Sequence, residues 1–345
     1  MKIFNLNGFP AYCIPDAALI VGSAIVYNNR LEEGYIANKF DERKELLQEE
    51  VTSRLTRREV DGGIEFFFIR PPTLMGHFNA KVFQFNTIHP YNYYHFLIES
   101  LPGLYSFLRS GDLSADSLIL TGQLHPNMQT ALSFVLAGKI PLLQLGLWQY
   151  ITAAEVVTGE DTVYGAELLD GKLSDEFFYR NEDLLLLRDL FKKSNHYKKK
   201  VIDKKIFVKR YSPQRQLFNS RILEKISESN GFEVVDPGEL SFWEQVELFS
   251  SASVVCGPTG AWVANMIFAP ENAKFFIFYP ETAITKKTLW AGLGEVLSVD
   301  VEDIYCPISI LNNRQPIHSH FNFPENDFRK LLIDIDRFVM ASKYI

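Results

Sequence analysis

The chain has 345 residues, 47% of them apolar and 22% charged, a net charge of −7 and three cysteines. That length accommodates two ordinary domains, and the acidic balance argues against a general nucleic-acid binder, whose phosphate contacts need a basic surface. Cys13, Cys256 and Cys306 are too scattered for a paired metal-ligand spacing or a disulfide framework, which suits a reducing compartment.

In chain order, residues 1–27 hold no apolar stretch long enough to span a bilayer, because Pro10, Pro15 and Asp16 interrupt it. Neither a secretory signal nor a membrane-spanning helix is expected. The first 60 residues carry weak signals: a strand near 18–27 and a charged, solvated helix over 39–58. The runs 64–69 and 82–85 read as strands. From Tyr94 through Leu97, Ile98, Leu101, Leu104 and Leu108 the apolar spacing is helical, with Pro102 kinking or dividing the helix. His95 and Glu99 are four apart and share a face of it. A strand at 118–120, a helix over 126–137 and a strand at 154–157 follow. This alternation predicts an α/β domain.

Residues 171–205 read as a connection, with a helix over 183–193 and a basic run at 196–200. The second half is more regular. Strand 206–209 leads to a helix capped by Asn219 or Ser220 and ended by Gly231. Strand 232–235 is followed by a capping-box pattern at Ser241 and Glu244. The stretch 253–280 then gives an apolar strand, the breakers Gly257, Pro258 and Gly260, a helical pattern from Ala261 and a second apolar strand. A βαβαβαβ order over 206–279 predicts a parallel, doubly wound sheet whose ligands sit at the carboxyl ends of its strands. Residues 324–342 form an amphipathic helix, with Phe328, Leu331, Leu332, Ile335, Phe338 and Val339 on one side.

The glycine turn before a helix start offers N–H groups and a positive dipole end, which suit the diphosphate of a nucleotide-activated substrate. The backbone candidates are Gly257, Thr259, Gly260 and Ala261, with the Thr259 hydroxyl assisting. Lys209, Arg210 and Arg215 follow the first strand of this half and can reach the same sheet edge. The same residues would also serve as a plain βα connection with a solvated basic face. Asn265, four residues after Ala261, fits a bond to the turn or to a ligand, and Asn219 fits a helix cap as well as a ligand contact. His318 and His320 lie in a polar, turn-rich segment and read as surface. The single Asp-x-Asp, Asp334-Ile335-Asp336, falls in the last helix, where residues two apart point apart and make a poor metal clamp.

Three segments, HPYNYYHFLIESLPGLYSFL, KRYSPQRQLFN and EVVDPGELSFWEQVELFSSASVVCGPTGAWVANMIFAPENA, together resemble glycosyltransferase family 61 over roughly residues 80–280. The family includes bacterial capsular polysaccharide enzymes and eukaryotic xylosyl- and N-acetylglucosaminyltransferases. The resemblance implies an α/β protein of GT-B type, two Rossmann-like domains facing each other across a cleft. Residues 1–195 would bind the acceptor, 196–323 the nucleotide sugar, and 324–345 would pack back on the first domain. It implies an inverting transfer without metal or cofactor, from a nucleotide sugar (a UDP-sugar foremost) to a glycan or lipid-linked acceptor. The setting would be surface-polysaccharide assembly in the cytoplasm, with peripheral association at the inner face of the membrane.

The resemblance also implies a base for the acceptor hydroxyl. His95 oriented by Glu99, or Glu99 itself, would serve, flanked by His89, Asn92 and Tyr94. The chain departs from the family at two places: Thr259 stands where the family has His, and an apolar run near Ile277 stands where it has Glu. Glu281 is close enough to replace that ribose contact. The rival readings are a non-catalytic nucleotide- or carbohydrate-binding subunit, and a dinucleotide enzyme, which lacks its G-x-G-x-x-G signature here.

Overall fold

A computed structural model describes residues 2–6, 9–20, 25–28, 34–36, 55–60, 63–68, 70–85, 91–111, 113, 116–159, 163–165, 177–198, 204–282, 289–313 and 316–342. The chain divides into two compact units, Met1–Thr162 and Val163–Ile345.

The first unit is built on a mixed sheet of eight strands. Its order is Gly34–Ile36, Ile25–Asn28, Phe9–Ile20, Gln149–Gly159, Thr73–Gln84, Leu118–Gly122 and Leu142–Leu145, with Lys2–Leu6 also paired to Phe9–Ile20. The last four strands in that order run parallel, whereas the N-terminal strands pair antiparallel. The parallel half of this sheet is joined through helices Leu101–Ser110 and Pro126–Leu136, whereas among the described residues the N-terminal strands add an antiparallel half to the Rossmann-like pattern that the resemblance implies. Two hairpin connections are spelled out in the sequence. Asn7-Gly8 separates the partners Leu6 and Phe9, and Asp61-Gly62 separates Val60 and Gly63, both dipeptides that favour two-residue hairpin loops. The helix expected over 39–58 is corrected at its end, since Leu55–Val60 is a strand paired with Gly63–Phe68. Residues 39–54 lie outside the described ones.

Across the parallel half of this sheet lies the helical stretch that begins at residue 93. Phe96, Leu97, Ile98, Leu101, Leu104 and Phe107 are buried, and Phe107 and Phe96 meet Phe83 and Phe85 of the sheet at ring distances of 5.1 and 5.7 Å.

The second unit carries a five-stranded, fully parallel sheet ordered Phe232–Val235, Lys204–Val208, Ala252–Pro258, Lys274–Pro280, Asp300–Cys306. The chain starts on the second of these, moves to one side, then crosses back, so the switch point lies between Lys204–Val208 and Ala252–Pro258. Alternation sorts the strand residues onto two faces. Phe207, Val254, Cys256, Phe276 and Phe278 form one core with Leu223 and Ile226 of helix Ser220–Ser229. Phe275 faces the other way, stacked on Trp262. There the short helical segment Ala261–Phe268 packs with helices Phe242–Phe249 and Asn181–Lys192 through the rings of Phe268, Phe242 and Phe191.

Two expectations change here. The final helix, Glu325–Ser342, uses its apolar face within its own unit: Phe328, Leu332, Ile335 and Val339 are buried against Phe207 and Phe278, at about 1.5–3 kcal/mol per side chain. It was expected on the first domain. The boundary also falls earlier than 195. Helix Asn181–Lys192 belongs to the second unit because Arg188, 2% exposed, donates to the carbonyls of Ala269 and Leu297 at 2.6 Å each. Leu297 ends helix Leu289–Leu297, so the guanidinium also meets the negative pole of that helix.

Candidate active site

At the switch point the turns after Lys204–Val208 and Ala252–Pro258 come together. Gly257 allows this: a Cβ there would stand 2.6 Å from the Val208 carbonyl oxygen. Gly257 itself is a strand residue in register with Ile277, not a member of the turn. The turn proper begins at Thr259, and every polar group of this residue is engaged. Its N–H donates to Phe278 O at 2.9 Å, its carbonyl accepts from Arg210 Nη1 at 3.1 Å, and its hydroxyl oxygen accepts from Trp290 Nε1 at 3.1 Å. Thr259 is 1% exposed. Through these internal bonds Thr259 holds Arg210 in place. Ala261 opens a 3₁₀ segment, Ala261–Phe268, rather than an α-helix, so the dipole argument for this turn is weaker than the sequence suggests.

Arg210 is held by Thr259 and by Ser212 Oγ, which accepts from Nη2 at 3.1 Å. Gly260 leaves room for it, since a Cβ there would lie 3.1 Å from Arg210 Nε. Arg215 adopts a left-handed backbone, φ 54°, a conformation that costs a non-glycine residue about 1 kcal/mol or more. Its N–H donates to His318 O at 3.3 Å. Arg215 Nε and His318 Nδ1 are both buried without a hydrogen-bond partner. Burial, and then the neighbouring Arg215, pull the Arg210 guanidinium down to about 10. Burial lowers Arg215, opposed by Tyr279. Burial, Arg215 and Arg210, in that order, lower His318. Among the described residues no carboxylate pairs with Arg210 or Arg215. Part-buried cations without a counter-ion are costly, and an anionic ligand would relieve them.

His318 reads as a surface residue in the sequence, a hundred residues away from Arg215. What brings it in is backbone pairing: Phe321 N–H donates to Gln216 O and Phe218 N–H to Phe321 O, both at 3.0 Å, while Gln216 N–H donates to His320 Nδ1 at 3.2 Å. No local pattern announces that pairing.

The remaining expected donor residues separate. Lys209 leans away from the crevice, its Nζ 3.6 Å from Glu239 and facing the Tyr211 ring. Asn219 stands before helix Ser220–Ser229, but its side chain does not cap it. Instead Nδ2 donates to Phe323 O at 2.7 Å and Oδ1 accepts from Phe323 N at 3.2 Å. Asn265 is fully buried, donating to Gln245 Oε1 at 2.9 Å. Both amides thus make bonds within the protein. Glu281 is exposed just beyond Lys274–Pro280, its N–H donating to Cys306 O at 2.8 Å, and so stands at the carboxyl edge of the sheet.

In the first unit His95 and Glu99 meet, Nδ1 against Oε2. They lie on a widened π-type turn, His95–Ser100, in which Leu101 N–H donates to Phe96 O. Pro102 follows at the start of helix Leu101–Ser110. Having no N–H to give, it makes the irregular turn cheap. Each side chain is about a quarter exposed, 24% and 21%. A carboxylate on Nδ1–H sets the tautomer in which Nε2 is the basic nitrogen. Asn92 Oδ1 accepts from Tyr94 N–H at 2.9 Å and so starts this helix, and Tyr94 is buried with its ring edge-on to His95. These two shape the pair's surroundings. His89 lies outside the described residues.

Among the described residues no three His, Cys, Asp or Glu gather as a metal site, and no helix is long and apolar enough to cross a membrane. A family model described as Glycosyltransferase 61 matches residues 93–276, more than half of the chain, and no individually curated protein matches it. The chain belongs to the glycosyltransferase 61 family.

Proposed function

We propose that this member of the glycosyltransferase 61 family is a metal-independent, inverting enzyme of GT-B type that moves a sugar from a nucleotide sugar, a UDP-sugar foremost, to a glycan or lipid-linked acceptor. The observation that carries the reading is the pair Arg210 and Arg215, two part-buried guanidiniums without a carboxylate at the switch point of a parallel sheet. A departing nucleoside diphosphate gathers negative charge on its bridging oxygen as the bond to the anomeric carbon breaks. Two fixed cations supply the stabilisation that a divalent ion supplies elsewhere. Glu281, at the same sheet edge, is the proposed ribose contact.

His95 is the proposed base. Glu99 holds its Nδ1–H, Nε2 takes the proton of the acceptor hydroxyl, and the oxygen attacks the anomeric carbon from the side opposite the diphosphate, which inverts it. The proposed setting is surface-polysaccharide assembly in the cytoplasm, at the inner face of the membrane. The test is turnover of UDP-sugars, with and without a chelator. Turnover that survives chelation supports the reading. Nucleotide binding without turnover for any donor and acceptor supports a non-catalytic binding subunit instead, for which the replacement of the family His by Thr259 speaks.

A further inference from the structure

We infer that His318 is the third cation of the diphosphate site, neutral while the site is empty and protonated when a nucleoside diphosphate binds beside Arg210 and Arg215. The inference rests on the donor-site reading above and adds to it a proton that travels with the ligand.

Three observations place His318 there. Its carbonyl accepts from the Arg215 N–H at 3.3 Å, so the two residues are joined at the backbone. Its Nδ1 and Arg215 Nε are both buried with no hydrogen-bond partner in the protein, so both have hydrogen-bonding capacity left for a group that enters beside them. The charged groups that act on the imidazole are Arg215 and Arg210, both positive. Beyond them, Tyr279 is buried on the neighbouring strand and hydrogen-bonded to Thr259 and Asp303, its phenol pushed up by burial and then by Asp303. Asp303 is thus turned to Tyr279, and His320 accepts from Gln216 N–H. An imidazole in this company stays neutral in the empty site. A bound diphosphate reverses the sign of the local field, and an imidazolium can then donate to a phosphate oxygen, as the guanidiniums do.

The sign of the pH effect follows. Without ligand the His318 pKa lies below its ordinary value, and with ligand it rises. Between the two values binding takes up one proton from solvent. The affinity then falls by up to about tenfold for each unit of rising pH, and levels off outside that window.

The intact chain is titrated calorimetrically with UDP, GDP and CDP, from about pH 5.5 to about pH 8.5, in buffers of different ionisation enthalpy. Comparison with His318→Gln separates the protein's proton from the one the nucleotide itself exchanges. The expected result is a proton uptake in the wild type that His318→Gln lacks, with the variant weaker at the acid end and equal to the wild type at the alkaline end. Equal uptake in both proteins, with binding still sensitive to Arg210→Ala, overturns the role of His318 and leaves the donor site standing. Binding of none of the nucleotides overturns the donor-site reading, and this inference with it. Should His318→Gln fail to fold, the imidazole signals of the wild type are followed by NMR with and without nucleotide. An upward shift of one titration on binding supports the inference, and no shift overturns it.

Discussion

Replacing Arg210 by alanine should weaken the binding of nucleoside diphosphates by about 10- to 150-fold. The structure sets the scale. The guanidinium is fixed beforehand by Thr259 O and Ser212 Oγ, at 3.1 Å each, so little is lost in ordering it when ligand arrives. Although lowered to about 10, it stays charged at neutral pH. A charge-assisted hydrogen bond of this kind contributes about 1.5–3 kcal/mol, which converts to that range in Kd. Arg210 and Arg215 also repel each other in the empty site, so removing one relieves the other. The double variant should therefore lose less than the sum of the single losses. Arg210→Lys keeps the charge without the fork and should recover part of the affinity. Calorimetric titration with UDP, GDP and CDP measures the effect. A thermal melt should accompany it, because the substitution leaves the Thr259 carbonyl without its donor. Affinities within about twofold of the wild type for every nucleotide bound, in a protein that melts normally, would refute the donor-site assignment.

Three other substitutions probe separate parts of the molecule. His95→Ala should lower kcat by about 10²–10⁴ while leaving donor affinity unchanged in the same titration, and full activity would pass the role of base to another residue. Arg188→Met keeps the bulk but strands the buried carbonyls of Ala269 and Leu297. At about 1–3 kcal/mol each, offset by the guanidinium desolvation regained, a net loss of about 2–4 kcal/mol is expected in denaturant unfolding. Gly257→Ala drives a methyl group to 2.6 Å from Val208 O and should cost about 1–3 kcal/mol by strand displacement, together with weakened nucleotide binding. An unchanged melting temperature would show that the strands have room to part.

The second unit was the more legible because its elements are punctuated locally. Ser241 and Glu244 form the capping box that their spacing announces, Gly231 closes its helix at φ 78°, and strand Phe232–Val235 falls where expected. The cationic turn with Arg210 and Arg215 was legible as charge beside a sheet edge. The atoms around it were not. Lys209, Arg210 and Arg215 look alike in sequence, and only packing decides that Lys209 goes to Glu239 while Arg210 goes to Thr259. The partners of Asn219 and Asn265 are hidden for the same reason, since no local pattern tells that one amide reaches the backbone of Phe323 and the other Gln245. In the first unit Asn7-Gly8 and Asp61-Gly62 carry a local hairpin signal. Helix Leu289–Leu297 and strand Asp300–Cys306 have weaker local signals, since Thr282, Thr285 and Thr288 offer several cap positions and none is singled out.

The widened turn His95–Ser100 has a consequence for how this region tolerates changes in length. A π-type turn holds one residue more than an α-helical turn needs, and that extra residue lies between the His95–Glu99 pair and the helix Leu101–Ser110, which is anchored on the sheet by Phe107. Deleting Ser100 would give back an ordinary helix and leave the anchored part in place. Every residue before it would then rotate by about 100° around the axis, carrying His95 to a different side while Leu104 and Phe107 stayed where they are. A single-codon deletion here would thus redirect the imidazole and at the same time turn Phe96, Leu97 and Ile98 out of the core, so one extra residue fixes both the pair and the packing beneath it.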